Sequence, residues 1–85
     1  MADNMLDFLR QTIPVIERHV ALGEKHIYDQ IELIAKLERD DHDATLAKEL
    51  LRQFEEIQAL HLRHRDRITM ELSEGEARER RSFGS

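Results

Sequence analysis

Asp40-Asp41-His42-Asp43 is a short polar break between two long runs of helix-favouring sequence, and it decides the fold. Such a break predicts a turn, because an aspartate oxygen can accept a free amide at the start of a helix. Asp43 is the expected N-cap of the second helix, and Asp41 is a weaker candidate. A divalent-cation loop is the disfavoured alternative, since regular calcium loops need more oxygen ligands and a closing glutamate.

Length and composition favour a small helical protein that needs a partner. The chain has 85 residues, of which 36% are charged and 5% aromatic, with three glycines and one proline. Few turn-forming residues predict helix. Domains of this size are marginally stable alone. The absence of cysteine leaves no disulfide, thiolate metal site or thiol nucleophile, so oligomerisation is the expected support.

Hydropathy and charge give expectations about location and partners. No run approaches the roughly 20 apolar residues of a membrane span, and the first residues lack the pattern of a signal peptide. Residues 1–60 carry 13 acids and 7 bases, whereas residues 61–85 carry 5 acids and 6 bases. This balance argues against nucleic-acid binding, which depends on phosphate neutralisation. We expect a soluble, cytoplasmic protein without a membrane or nucleic-acid partner.

The first long run, residues 13–39, has helical periodicity on two faces. Pro14 suits the first turn of a helix and Thr12 its cap, so residues 1–12 are expected to form a short N-terminal helical extension or to continue the helix across a kink. One apolar stripe comprises Ile13, Ile16, Val20, Gly23, Ile27, Ile31 and Ile34. A second seam, about 100° round the helix, comprises Val15, His19, Leu22, His26, Leu33 and Leu37.

The second long run, residues 43–72, has one apolar stripe that matches the first. It comprises Ala47, Leu50, Phe54, Ile57, His61, His64, Ile68 and Leu72. In an antiparallel hairpin that turns at Asp40 and Asp41, residues whose numbers sum to about 81 face one another, and the two stripes then coincide. Ser73-Glu74-Gly75 should end this helix, which leaves residues 73–85 as a charged, flexible tail.

The predicted fold is therefore all-α, a long antiparallel helical hairpin. A hairpin has two layers and leaves the second seam of the first helix exposed. Two hairpins packing into a four-helix bundle would bury that seam in a symmetric homodimer. The expected interface residues are Val15, Leu22, Leu33 and Leu37.

Several short motifs resemble a group of short, uncharacterised, mostly alphaproteobacterial proteins. The motifs are Gly23-Glu24-Lys25-His26-Ile27, Leu37-Glu38-Arg39-Asp40, Leu50-Leu51, Phe54-Glu55, Gln58-Ala59-Leu60-His61 and Arg65-Asp66-Arg67. The resemblance covers about residues 15–70. It implies a helical hairpin in a bacterial cytoplasm and supplies no catalytic residue or cofactor.

Histidines are the main polar feature of the predicted core. His61 and His64 lie one turn apart, and the predicted pairing brings them towards His19 and Glu17. A structural polar layer is the favoured interpretation, because a buried imidazole needs only hydrogen-bond partners. The alternatives are an interface that weakens below about pH 6 and a metal site, although the Glu-x-x-His pair of di-iron bundles is absent.

Other chemistry is less well supported by the sequence. Arg63 and Arg67 share a helix face and could bind an anion or an acidic partner, although exposed arginines usually form solvated surface. Catalysis and cofactors are not expected, because the serines all lie in the predicted tail and a hairpin offers no deep pocket.

The sequence thus predicts a protein–protein interaction module, a small structural or regulatory adaptor that homodimerises. A larger bacterial protein is a further candidate partner. A small metal- or anion-binding bundle using His19, His61 and His64 is the alternative.

Overall fold

The computed structural model describes residues 2–84, and the side chains of residues 4–82, as two long antiparallel helices. Helix α1 is Ala2–Arg39 and helix α2 is Thr45–Gly84. The molecule measures 68 × 16 × 15 Å. The predicted all-α helical hairpin is therefore confirmed. Neither described helix has an apolar run of the length that a membrane crossing requires.

The end of α1 is set by the backbone conformation of Asp41. This residue has a φ of 57°, in the left-handed region that commonly ends a helix. The amide of His42 donates to the carbonyl of Leu37 at 2.8 Å, and the amide of Asp41 donates to that of Glu38 at 3.3 Å. These two hydrogen bonds form a Schellman motif and satisfy carbonyls that the helix end would leave free.

Asp43 caps α2, as the sequence predicts. Its carboxylate accepts hydrogen bonds from the hydroxyl of Thr45 at 2.6 Å and from the amide of Thr45 at 2.9 Å. The hydrogen bond from the Thr45 hydroxyl and, to a smaller extent, the one from the Thr45 amide lower the pKa of Asp43 below its usual range. Asp41 and Asp43 therefore have separate roles, one ending α1 and the other beginning α2.

Packing between the helices follows a seven-residue repeat with alternate spacings of three and four. The inward residues are all buried or half-buried. In α1 they are Leu6, Leu9, Ile13, Ile16, Val20, Gly23, Ile27, Gln30, Ile34 and Leu37. At the start of α2 and along it they are Ala44, Ala47, Leu51, Phe54, Gln58, His61, Arg65, Ile68, Leu72, Gly75 and Glu79. This is the pattern of an antiparallel two-helix coiled coil.

The repeat corrects part of the predicted stripes. Four residues predicted to face inward are exposed: Ile31, Leu50, Ile57 and His64. Their places are taken by the adjacent residues Gln30, Leu51, Gln58 and Arg65. Hydrophobicity was misleading because apolar side chains flank the true repeat, while three of the four inward replacements are polar.

Two buried glutamines connect the helices. Nε2 of Gln30 donates to the carbonyl of Ala47 at 2.9 Å, and Nε2 of Gln58 donates to the carbonyl of Val20 at 2.8 Å. A buried amide is costly without a partner. Sliding one helix along the other would break both hydrogen bonds, so the glutamines favour this register over its neighbours.

The apolar core is densest at the end of the hairpin away from the turn. Its buried cluster comprises Leu6, Leu9, Ile16, Val20 and Ile68, with Ile13, Leu62 and Leu72 packed against it. The cluster explains why α1 begins at Ala2 and passes through Pro14, whereas a start at Thr12 or Ile13 was expected. Proline inside a helix costs about 3 kcal/mol, and burying two leucine side chains returns about 3–6 kcal/mol.

Thr12 is not the predicted cap. Its hydroxyl donates to the carbonyl of Phe8 at 2.7 Å, one turn earlier in the same helix. Such a bond is typical of threonine in a helix interior. The continuous helix across Pro14, the second possibility raised by the sequence, is the one found.

The far end of α2 also differs from the prediction. The helix continues to Gly84, so the predicted end at Leu72 and break at 73–75 are wrong. A Cβ atom on Gly75 would lie 2.5 Å from Cδ2 of Leu6, so the glycine leaves room for that leucine. Glu76 then pairs with Arg10 at 3.3 Å. These contacts offset the helix penalty of glycine, which is about 1 kcal/mol.

Candidate functional site

One side of the hairpin is charged, and we call it the charged edge. Two ion pairs, each 3.3 Å long, connect the helices there: Arg10 with Glu76, and Glu38 with Lys48. Seven-residue spacing places Glu17 and Glu24 on the same line of α1 as Arg10. The ion pairs of the charged edge are therefore complete within the hairpin and do not require a second molecule.

The opposite side is apolar, and we call it the open face. Leu22 of α1 and Ile57 of α2 line the same groove there. Residues seven positions away or one turn away extend the face along both helices. Its apolar and histidine residues are Val15, His19, Leu22, His26 and Leu33 of α1 with Leu50, Ile57 and Leu60 of α2, all of them exposed, and the same spacing adds the exposed Asp29, His64 and Arg67 to the face.

The open face contains three of the four predicted interface residues. Val15, Leu22 and Leu33 are exposed on it. Leu37, predicted to belong to the same seam, is half-buried at an inward position instead. The sequence therefore located the seam of α1 but did not show that apolar residues of α2 continue it.

A groove of about 330 Å³ lies in the open face. It is lined by His19, Leu22, Gly23, His26, Phe54, Ile57, Gln58 and His61. A side chain at Gly23 would overlap the amide of Gln58, so the glycine allows the two helices to approach closely at the groove. The hairpin thus has a concave pocket where the sequence predicted none of several hundred Å³, although its volume is at the lower limit of small-molecule pockets.

Imidazole rings meet across this groove. The ring centroids of His19 and His61 are 5.7 Å apart with a 37° tilt, and those of His26 and Phe54 are 5.8 Å apart with a 38° tilt. The predicted proximity of His19 and His61 is confirmed. Among the described atoms, Nδ1 of His61 is buried and has no hydrogen-bond partner.

The other two members of the predicted polar layer lie elsewhere. Glu17 is on the charged edge, and His64 is exposed one turn beyond His61 and does not line the groove. Within residues 4–82, no three or more histidine, cysteine, aspartate or glutamate side chains are arranged to hold a metal ion. Of the four residues predicted to form the polar layer, the structure brings His19 and His61 together.

The predicted anion-binding arginines are on the surface of α2. Arg63 and Arg67 are both exposed. Arg67 donates to a carboxylate oxygen of Glu71 at 3.4 Å. The carboxylate of Glu71, one turn away, thus partly neutralises the positive charge with which Arg67 would bind an anion.

Sequence reasoning missed the role of Gly23 and Gln58 in the groove. Their numbers sum to 81, so the pairing rule did predict that they face each other. It did not indicate that the contact would shape a concave surface.

No family model, curated protein or solved structure matches this chain. The chemistry of the open face is therefore the basis on which a function can be assigned.

Proposed function

We propose that this protein is a protein–protein interaction module, a small structural or regulatory adaptor that homodimerises through the open face. The observation that carries the proposal is the row of exposed apolar side chains on one side of the hairpin, opposite the charged edge. Contiguous exposed apolar surface marks interaction sites in soluble proteins.

The exposed area supports a second subunit. The accessible surface of the hairpin is 6800 Å², whereas a compact monomer of 10.1 kDa would expose about 5,300 Å². The excess of about 1,500 Å² is larger than the roughly 800 Å² that each partner buries in a standard interface. None of the described side chains is less than 2% exposed, so even the core of the isolated hairpin stays in partial contact with solvent.

A second copy of the chain suits this face. The chain carries a formal net charge of −5, which would oppose association if the contact surfaces were acidic. The open face consists mainly of apolar and histidine side chains, and the ionised residues that the spacing adds to it, Asp29 and Arg67, have opposite signs. Two copies can therefore meet with few like-charge contacts and form a four-helix bundle, in which each presents the same surface to the other.

We also infer a reducing, cytoplasmic location. The chain has no cysteine, which is typical of proteins that do not depend on disulfides for stability.

The test is the mass in solution of two matched variants. Leu22 and Ile31 are 53% and 51% exposed, but Leu22 is on the open face whereas Ile31 adjoins the charged edge. Leu22→Glu should weaken dimerisation at least about 100-fold, because it places a charge in an apolar interface. Ile31→Glu should leave the dimer intact. Sedimentation equilibrium measures both, and circular dichroism checks that the helices persist.

Two results would overturn the proposal. One is a wild-type chain that remains monomeric at high micromolar concentration. The other is a Leu22→Glu chain that dimerises as well as Ile31→Glu.

A further inference from the structure

We propose that self-association through the open face is controlled by pH, with the pair of His19 and His61 as the titrating site. This inference rests on the proposed homodimerisation. The two rings lie 5.7 Å apart across the groove, and a second copy on the open face would cover both. The dimer would then need both imidazoles to be neutral, because a charge buried in an apolar interface is costly.

His61 is poorly placed to hold a positive charge. A protonated imidazole donates from both ring nitrogens. Nδ1 of His61 is buried, and within the described part of the chain it has no hydrogen-bond partner. Protonation would therefore leave a buried N–H group without an acceptor, which costs free energy.

The groups around the two histidines offer no compensating carboxylate. The residues one turn from His61 in α2 are Ile57, Gln58, His64 and Arg65. The residues one turn from His19 in α1 are Val15, Ile16, Leu22 and Gly23. Across the hairpin, each of the two rings faces the other.

The nearest ionised groups do not change this conclusion. Glu17, the acidic member of the predicted layer, lies on the charged edge. Arg65 is half-buried and pairs with Asp66 at 3.1 Å, and its own charge repels a protonated His61. The other groove histidine, His26, faces Phe54 and lies one turn from the carboxylate of Asp29, so it is not counted with the pair. The residues around His19 and His61 thus supply no anion to a protonated ring.

Acid pH should therefore dissociate the dimer. Separated chains bind protons at these imidazoles more readily than the dimer does, so the dissociation constant rises as pH falls. A free imidazole is half protonated near pH 6.5, so each exposed histidine that the dimer holds neutral weakens the dimer about tenfold at pH 5.5. His19 is exposed in the separated hairpin, whereas the buried Nδ1 of His61 opposes protonation there as well as in the dimer, so each copy contributes one such ring.

The experiment is sedimentation equilibrium of the full chain between pH 8 and pH 5.5. The slope of log Kd against pH counts the protons taken up on dissociation. We expect a flat curve above about pH 7.5 and an uptake of about two protons per dimer below about pH 6, with Kd about 100-fold larger at pH 5.5 than at pH 8. Circular dichroism should show that the helices persist.

The outcomes separate this inference from the proposed function. A dimer whose Kd is the same across the range overturns the pH control and leaves homodimerisation intact. A chain that is monomeric at pH 8 overturns both.

Histidine variants identify the titrating groups. His19→Gln should remove most of the proton uptake and His61→Gln little of it, whereas His42→Gln, in the turn, should leave it unchanged. If a variant fails to dimerise at pH 8, nitrogen-detected NMR of the wild-type imidazoles replaces it. Rings of His19 and His61 that stay neutral in the dimer at pH 6, while His42 is protonated, support the inference. Their full protonation in an intact dimer overturns it.

Discussion

At the scale of single residues, Gly23 shapes the open face by having no side chain. The amide of Gln58 occupies the space that a methyl group would need, and its Nε2 reaches the carbonyl of Val20. A glycine in the middle of a helix costs about 1 kcal/mol relative to alanine. Here the missing side chain leaves room for the amide of Gln58, which makes the hydrogen bond between the helices.

The first prediction is that Gly23→Ala depends on residue 58. In the wild-type background the new methyl displaces the amide of Gln58, so the gain in helix propensity is cancelled or reversed. In a Gln58→Ala background the clash is absent, and Gly23→Ala should stabilise the hairpin by about 1 kcal/mol. Urea unfolding of the four chains at one concentration gives the coupling free energy, which we expect at about 1–2 kcal/mol. Equal effects in both backgrounds would refute the contact.

A second prediction concerns the carboxylate of Asp43. Its hydrogen bonds to Thr45 lower its pKa in the folded state, so the ionised form stabilises the hairpin at neutral pH. That contribution is lost as pH falls through the lowered folded-state pKa. Asp43→Asn should therefore flatten the acid side of the curve of thermal midpoint against pH, below about pH 4. Asp40→Asn is the control and should retain the wild-type slope there.

At the scale of the helices, the sequence predicted which residues of the two helices face each other better than it predicted where each helix begins and ends. The break at residues 40–43 and the sum near 81 follow from local polarity and periodicity, and the contacts of Gly23 with Gln58 and of His26 with Phe54 agree with them. The start of α1 could not be predicted in this way, because it depends on a tertiary contact. Leu6 becomes buried only when Gly75, at the other end of the chain, packs beside it.

The inward positions show a related limit. Apolar residues border the repeat on both sides, so the periodicity alone does not distinguish Ile57 from its neighbour Gln58. Gln58 takes the inward position because its side chain makes a hydrogen bond to the other helix. The sequence around residue 58 gives no sign of that hydrogen bond. The groove was missed for the same reason.

The third prediction tests the added length of α1. Leu6 is 4% exposed, whereas the adjacent Met5 is 62% exposed. Leu6→Ala should destabilise the protein by about 2–4 kcal/mol, because it removes buried methyl groups and leaves a cavity. Met5→Ala should change stability by less than about 0.5 kcal/mol. Urea unfolding followed by circular dichroism measures both, and similar small losses would show that this end of α1 does not pack as described.

At the scale of the whole molecule, the hairpin is long, thin and different on its two sides. The charged edge contains ion pairs between the helices, while the open face exposes the larger apolar side chains beside the groove. This division explains why the sequence predicted a second packing surface but not its extent. The seam of α1 is readable from periodicity, whereas its continuation on α2 appears only once the correct inward repeat is known.

The division between the two sides also has a consequence for the size of any assembly. A molecule with adhesive surfaces on two sides can add subunits without limit and grow into fibres. Here the row of apolar side chains is on one side, and the reverse side carries ion pairs, with Ile31 exposed beside them. Once two copies have joined, the side that remains outside is the charged edge, so growth should stop at a closed particle.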